Sequence, residues 1–198
     1  MKNIVLLGGA FNPPTIGHIK KTQLVMDSPY DLDELWFLPC YQSIWGKHMA
    51  PARMRLEMVR RAVQHASDFR LKVCDFEIRS QLTGHTFDIL QKFFRRYPST
   101  AYKFYFMIGM DHANVIHTWG NGQGLIDTLT FIVVKREGIE SDWKVTWYLK
   151  SPHIYIHEGN IQEVSSTMAR LEIAETGKTD LVAPSVLDLI IKHELYSA

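Results

Sequence analysis

The sequence predicts an α/β protein built on a doubly wound parallel sheet, with a small C-terminal helical portion. Short apolar runs alternate with segments of helical period almost from end to end, the pattern of strand–helix–strand units. A Gly-rich turn, "GGAFNPPTIGH" at 8–18, directly follows the first apolar run. Doubly wound sheets bind ligands at such a place, beyond the carboxyl ends of their strands. The last two periodic segments read as terminal helices.

"NIVLL" reads as the first strand, and "IGHIKKTQLVMD" as a helix with Ile16, Ile19, Leu24 and Val25 near one face. "ELWFLP" is the second strand. "PARMRLEMVRRAVQHA" follows, with Met54, Met58, Val59, Ala62 and Val63 making a helical stripe beside a charged face. "FRLKVCDFE" alternates like a strand and "HTFDILQKFFRRY" has helical spacing. "KFYFMIG" reads as a buried strand, followed by "MDHANVIHTW" and a Gly-rich stretch at 119–128, "WGNGQGLIDT", expected to be an irregular loop. "LTFIVVKR" is a further strand, and "WKVTWYLK" and "HIYIHE" are expected to supply one or two more. "SSTMARLEIAETG" and "APSVLDLIIKHELY" close the chain, with Gly177 a stop for the first and Pro184 near the start of the second. No repeat, low-complexity tract or linker divides the chain, so residues 1–198 are expected to form one domain.

Composition narrows the partners. Lys and Arg total 22 against 21 Asp and Glu, a formal net charge of +1. No global basic field points to nucleic acid or membrane, and any anion site must be local. Cys40 and Cys74 stand apart without a metal or redox spacing, as in a reducing compartment. The opening "MKNIVLLGG" is too short an apolar run for a signal peptide, and no run reaches the length of a membrane span, which points to the cytoplasm.

The opening turn has the parts of an anion site. Gly8 and Gly9 allow a ligand close to the backbone, and Pro13 and Pro14 stiffen the loop. Thr15 is a credible N-cap, and His18 stands three residues on, at the positive end of a helix. The same residues also suit a plain strand-to-helix turn, and they match neither a P-loop nor G-x-G-x-x-G. A second segment shifts the balance: "EVSSTMAR" at 163–170 again sets hydroxyls at a helix start, with Arg170 nearby. A cation there opposes the helix dipole unless a bound phosphate reverses the sign. Two such helix starts are what a polyphosphate lying between them would need. His153 and His157 share a strand face without a recognisable third ligand, so a zinc site is not assigned.

"GGAFNPPTIGH" resembles the G-x-F-x-P-x-[HT]-x-x-H signature of the nucleotidyltransferase superfamily, and "VSSTMAR" resembles its second signature, I-S-S-T-x-x-R. Within it the chain most resembles the nicotinamide/nicotinate mononucleotide adenylyltransferases, through "LPCYQSIWGKHMAPARMRLEMVRRA", "MIGMDHANVIHTW" and "LVAPSVLDLIIKHELYS". The resemblance implies a Rossmann-like fold, a single nucleotidyltransferase domain over 1–198, and direct attack of a mononucleotide 5′-phosphate on the α-phosphorus of ATP. It implies that His18, Arg170 and Thr15 contact the ATP phosphates, with Ser166 and Thr167 adding hydroxyl or N–H contacts. It further implies ATP contacts from Gly9, Ala10 and Phe11, close approach of adenosine at Gly109, and ribose hydroxyls on Asp111. For the acceptor it implies Lys47 at the phosphate, Trp119 stacked on the pyridine ring and Thr86 beside the nicotinate or nicotinamide group. Arg136 reads equally as a phosphate contact or as an ordinary strand-end arginine. Mg²⁺ would be held mainly by ATP phosphates and water, without a protein cage. The family often assembles, so a homo-oligomer is open to the chain.

The chain departs from many relatives in carrying Thr15 for the first histidine of H-x-G-H, Asn12 for a frequent Asp, and Ala169 for an aliphatic residue. Thr at this position also occurs in pantetheine-phosphate adenylyltransferases, which leaves the acceptor open. Another nucleotidyltransferase, using phosphopantetheine or CTP, is the nearest alternative, and a non-catalytic module sensing NAD or ATP is a second.

Overall fold

The structure, a computed structural model, describes residues 1–135, 142, 145–157 and 164–197. The strands are β1 Lys2–Gly9, β2 Glu34–Pro39, β3 Leu71–Val73, β4 Tyr102–Gly109, β5 Thr130–Val134 and β6 Ile154–Ile156. The helices are α1 Ile16–Met26, α2 Ala52–Ala66, α3 Phe76–Arg79, α4 Thr86–Arg96, α5 Met110–Val115, α6 Gly122–Thr128, α7 Ser166–Thr176 and α8 Pro184–Lys192. All six strands run parallel in the order β3-β2-β1-β4-β5-β6. The winding leaves β1 in both directions, so the order reverses between β1 and β4, and a crevice opens there at the strands' carboxyl ends.

Strand periodicity sorts the core into two layers. Ile4, Leu6, Phe106, Ile108, Phe131 and Val133 face one side with Phe93 of α4. Their sequence neighbours Val5, Tyr105, Met107, Ile132 and Val134 face the other with Val59 of α2. Burying side chains of this size contributes roughly 1.5–3 kcal/mol each, and a one-residue register slip would exchange the two faces. The C-terminal helical portion is a third cluster: Ala169 and Ile173 of α7 and Val186, Leu189 and Ile190 of α8 pack on Met58 and Ala62 of α2. Gly177 ends α7 in the left-handed region, at φ 69, and Pro184 is the first residue of α8. No helix among the described residues is long and apolar enough to cross a membrane.

Two expectations are corrected, and a third is narrowed to the one further strand β6. The strand expected through "FRLKVCDFE" stops at Val73; Cys74 N–H makes a last bond to Phe37 O, and the chain then coils into α3, whose Arg79 N–H returns to Asp75 O. The stretch 119–128 is not an irregular loop, because α6 occupies Gly122–Thr128. Asn121 caps it with its side-chain oxygen accepting from Gly124 N–H, and the buried Leu125 anchors it. Gly122 fits where a Cβ would overlap the Ile116 carbonyl, so its glycines serve close packing rather than disorder. "WKVTWYLK" supplies no strand over its described residues. Trp147–Leu149 is a 3₁₀ turn, with the Trp147 indole N–H donating to Ala113 O and Tyr148 buried.

Candidate active site

A cavity of about 720 Å³ opens at the carboxyl ends of β1, β2, β4 and β5, where Gly9, Leu38, Gly109 and Val134 meet it. Both Gly-rich motif and hydroxyl-rich motif reach it, through Gly9, Ala10, Phe11 and His18 on one side and Ser166 and Thr167 on the other. The two are in contact where α1 starts: a Cβ on Gly17 would press on Val164 Cβ and O at 3.1 and 3.2 Å. Gly17 thus lets the entry to α7 lie against the first turn of α1.

Thr15 and His18 act as a pair. Thr15 is the N-cap of α1, and its N–H donates to His18 Nδ1 at 3.0 Å, the return half of a capping box in which histidine stands where Glu or Gln is usual. Thr15 Oγ1 lies 2.7 Å from the same nitrogen. Since Nδ1 accepts, the neutral ring carries its proton on Nε2. Phe11, itself in the left-handed region at φ 48, packs edge-on to the imidazole with ring centres 5.3 Å apart. His18 therefore meets the cavity with its orientation set from two sides.

Thr15, Arg170, Ser166 and Ile16 are each tied to neighbouring parts of the protein. Thr15 is 1% exposed and is not on the cavity wall; it lies beneath, fixing His18, because a capping threonine turns its hydroxyl toward its own helix. Arg170 also stands behind the wall, donating to Asn12 O at 2.8 Å and to Thr167 Oγ1 at 3.2 Å, so its guanidinium holds the motif loop. Ser166 Oγ donates to Pro13 O at 2.7 Å, which commits that hydroxyl to the loop. Ile16 N–H, at the start of α1, donates to Leu181 O.

The acceptor-side residues gather on the same cavity. Lys47 is exposed on the loop after β2, Thr86 is the first residue of α4, and Trp119 is half-buried with its ring edge-on to His112 at 5.6 Å. Asp111 folds back over Gly109 so closely that a Cβ there would meet its carboxylate. Arg136 lies outside the described residues. Among the described residues no group of three or more His, Cys, Asp and Glu could hold a metal ion. His153 instead accepts from Phe131 N–H through Nδ1, and burial moves its pKa down. Cys40 and Cys74 are both free, and burial pushes the cavity-lining Cys40 thiol up, away from a reactive thiolate.

Three further residues organise the site. Arg55 is 1% exposed and donates to Ala10 O, Cys40 O, Tyr41 O and Ala50 O, cross-linking both loops that frame the cavity. It stands on the apolar face of α2, at the i, i+3, i+4, i+7 spacing with Met58, Val59 and Ala62, and a cation there was a legible signal. Glu77 reaches the cavity from α3 and accepts from Tyr41 N–H at 3.0 Å. Burial pushes its carboxyl up to about 7, against the Tyr41 N–H and the Arg55 charge. Lys21 lines the cavity one turn beyond His18, a spacing visible in the sequence.

A parallel sheet that changes winding direction under two hydroxyl-rich helix starts is a nucleotide-binding arrangement. The chain belongs to the cytidylyltransferase-like family, which residues 6–172 match. It is 33% identical to a "Probable nicotinate-nucleotide adenylyltransferase" of Halalkalibacterium halodurans, over 88% of this chain and 81% of that one. It is 30% identical to a protein of the same name in Bacillus licheniformis, over 98% and 97% of the two chains. Among solved structures it resembles the Plasmodium falciparum nicotinic acid mononucleotide adenylyltransferase complexed with NaAD. The TM-score is 0.81 at 25% identity, covering 99% of this chain and 98% of that one. The same enzyme complexed with APC gives a TM-score of 0.78.

Proposed function

We infer that the protein transfers the adenylyl group of ATP to nicotinate mononucleotide, forming the deamido dinucleotide and pyrophosphate. The observation that carries this reading is the meeting of both motif segments on one cavity at the β1/β4 reversal, in a chain similar to enzymes named for that reaction. Residues 1–198 act in it as one nucleotidyltransferase domain.

A 5′-phosphate oxygen of the mononucleotide attacks the α-phosphorus of ATP in line, and the bond to the β-phosphate oxygen breaks as pyrophosphate leaves. No enzyme nucleophile is needed, so catalysis consists of positioning and charge stabilisation. His18 donates from Nε2 to the phosphate oxygens on which charge builds, while Thr15 holds its tautomer and angle. Arg170 adds positive charge from behind the loop, and the backbone of Gly9, Ala10 and Phe11 with the start of α7 follows the polyphosphate. Asp111 accepts from ribose hydroxyls over Gly109. Lys47 meets the acceptor's phosphate, Trp119 stacks on its ring, and the chain near Thr86 reads the carboxylate. Mg²⁺ would ride on the ATP phosphates and water, its usual habit, and offset charge on the leaving group.

The test supplies purified protein with ATP, Mg²⁺ and each pyridine mononucleotide, and follows pyrophosphate and dinucleotide. Turnover is expected, faster with the nicotinate form. Turnover only with phosphopantetheine would overturn the acceptor, and ATP binding without turnover on any acceptor would favour a sensing module.

A further inference from the structure

The Asn12 side chain, 2% exposed, is where distant parts of the chain meet beneath the Gly-rich loop. Its Oδ1 accepts from Ala50 N–H at 2.9 Å and from Tyr196 Oη–H at 2.7 Å. Its backbone oxygen takes the Arg170 bond, and the next residue's oxygen takes Ser166 Oγ. We propose that Tyr196 is a positioning residue for adenylyl transfer, its hydroxyl holding Asn12 and through it the loop that Arg170 also holds and that leads into His18. The inference rests on the adenylyltransferase reading.

The path of the tail supports this role. Beyond α8 the chain closes a Schellman turn, with Glu194 N–H on Ile191 O and Leu195 N–H on Ile190 O. The residue in the left-handed region is Glu194, at φ 49, where glycine is usual, and Tyr196 is left-handed too, at φ 65. Non-glycine residues persist in that region where surrounding contacts over-determine them. Here Leu195 and Tyr196 pack against the cluster of α2, α7 and α8, and the phenol ends on Asn12. Burial keeps that phenol protonated against the charges of Arg170 and Arg55, so it remains a donor at all working pH.

Tyr196→Phe removes the one hydroxyl and keeps the ring. Its kcat is expected to fall about tenfold, with KM for ATP and mononucleotide changed by less than about twofold and the melting temperature nearly unchanged. The same substitution made in an Arg170→Lys background should cost less than about twofold, because the two act on one loop. Wild-type turnover with an equally active Tyr196→Phe overturns this proposal alone. So does a loss that follows the melting temperature, or an undiminished tenfold loss in the Arg170→Lys background. A wild type without turnover on any acceptor overturns the adenylyltransferase reading and this inference together.

Discussion

Thr15, at the place of the first histidine in the H-x-G-H pattern, turns its hydroxyl to the His18 ring. With its hydroxyl 2.7 Å from His18 Nδ1 and nearly no exposure, Thr15 is placed to act on the imidazole. On the proposed function the phosphate-facing donor is His18 Nε2–H, a division of roles that the sequence pattern alone did not distinguish. His18→Ala is expected to lower kcat a hundredfold or more, about 3 kcal/mol of transition-state stabilisation, with the fold intact by circular dichroism. A variant within threefold of wild type in pyrophosphate release would remove His18 from the mechanism. Arg55 was legible in principle, as a cation on an apolar stripe, yet its four carbonyl partners belong to loops that only the tertiary structure brings together.

At the scale of elements, the strands and long helices follow periodicity, because each buries one face or one stripe. The two motif segments were equally readable, since glycine, proline and hydroxyl residues at fixed offsets have local meanings. α6 was not. Its glycines read as a breaker, whereas Gly122 sits where any Cβ would overlap the Ile116 carbonyl and Asn121 supplies the cap. Tertiary fit overrides propensity there. Gly122→Ala is therefore expected to destabilise the protein by about 2 kcal/mol or more, despite alanine's higher helix propensity. The displaced segment would carry Trp119 with it, so KM for the mononucleotide should rise while KM for ATP holds. A stabilised variant in urea unfolding would show that the α6 packing has been misread.

For the whole molecule, the near-zero net charge leaves room for a local anion site but says nothing of how the cavity floor is built. Arg55 lies fully buried beside Glu77, whose carboxyl burial has pushed up to about 7. An unfolded chain gives up that proton near 4.3, so the folded state binds more protons between the two values. Stability from this group is full below about pH 4.3 and is lost as pH rises through about 7. Between pH 5 and 8 the unfolding free energy of wild type should fall by about 1–3 kcal/mol relative to Glu77→Gln, whose amide cannot ionise. Parallel curves for the two proteins in urea titrations would refute it.

The bond from Tyr196 to Asn12 spans 184 positions of sequence. At about 5–20 residues per second, a ribosome needs roughly 10 to 40 seconds to travel from one partner to the other. Throughout that interval the nascent chain holds its Gly-rich loop without the last anchor. On the proposal above, the loop gains its last hold for the triphosphate only once Tyr196 has been made, so copies still short of α8 are poor competitors for nucleotides.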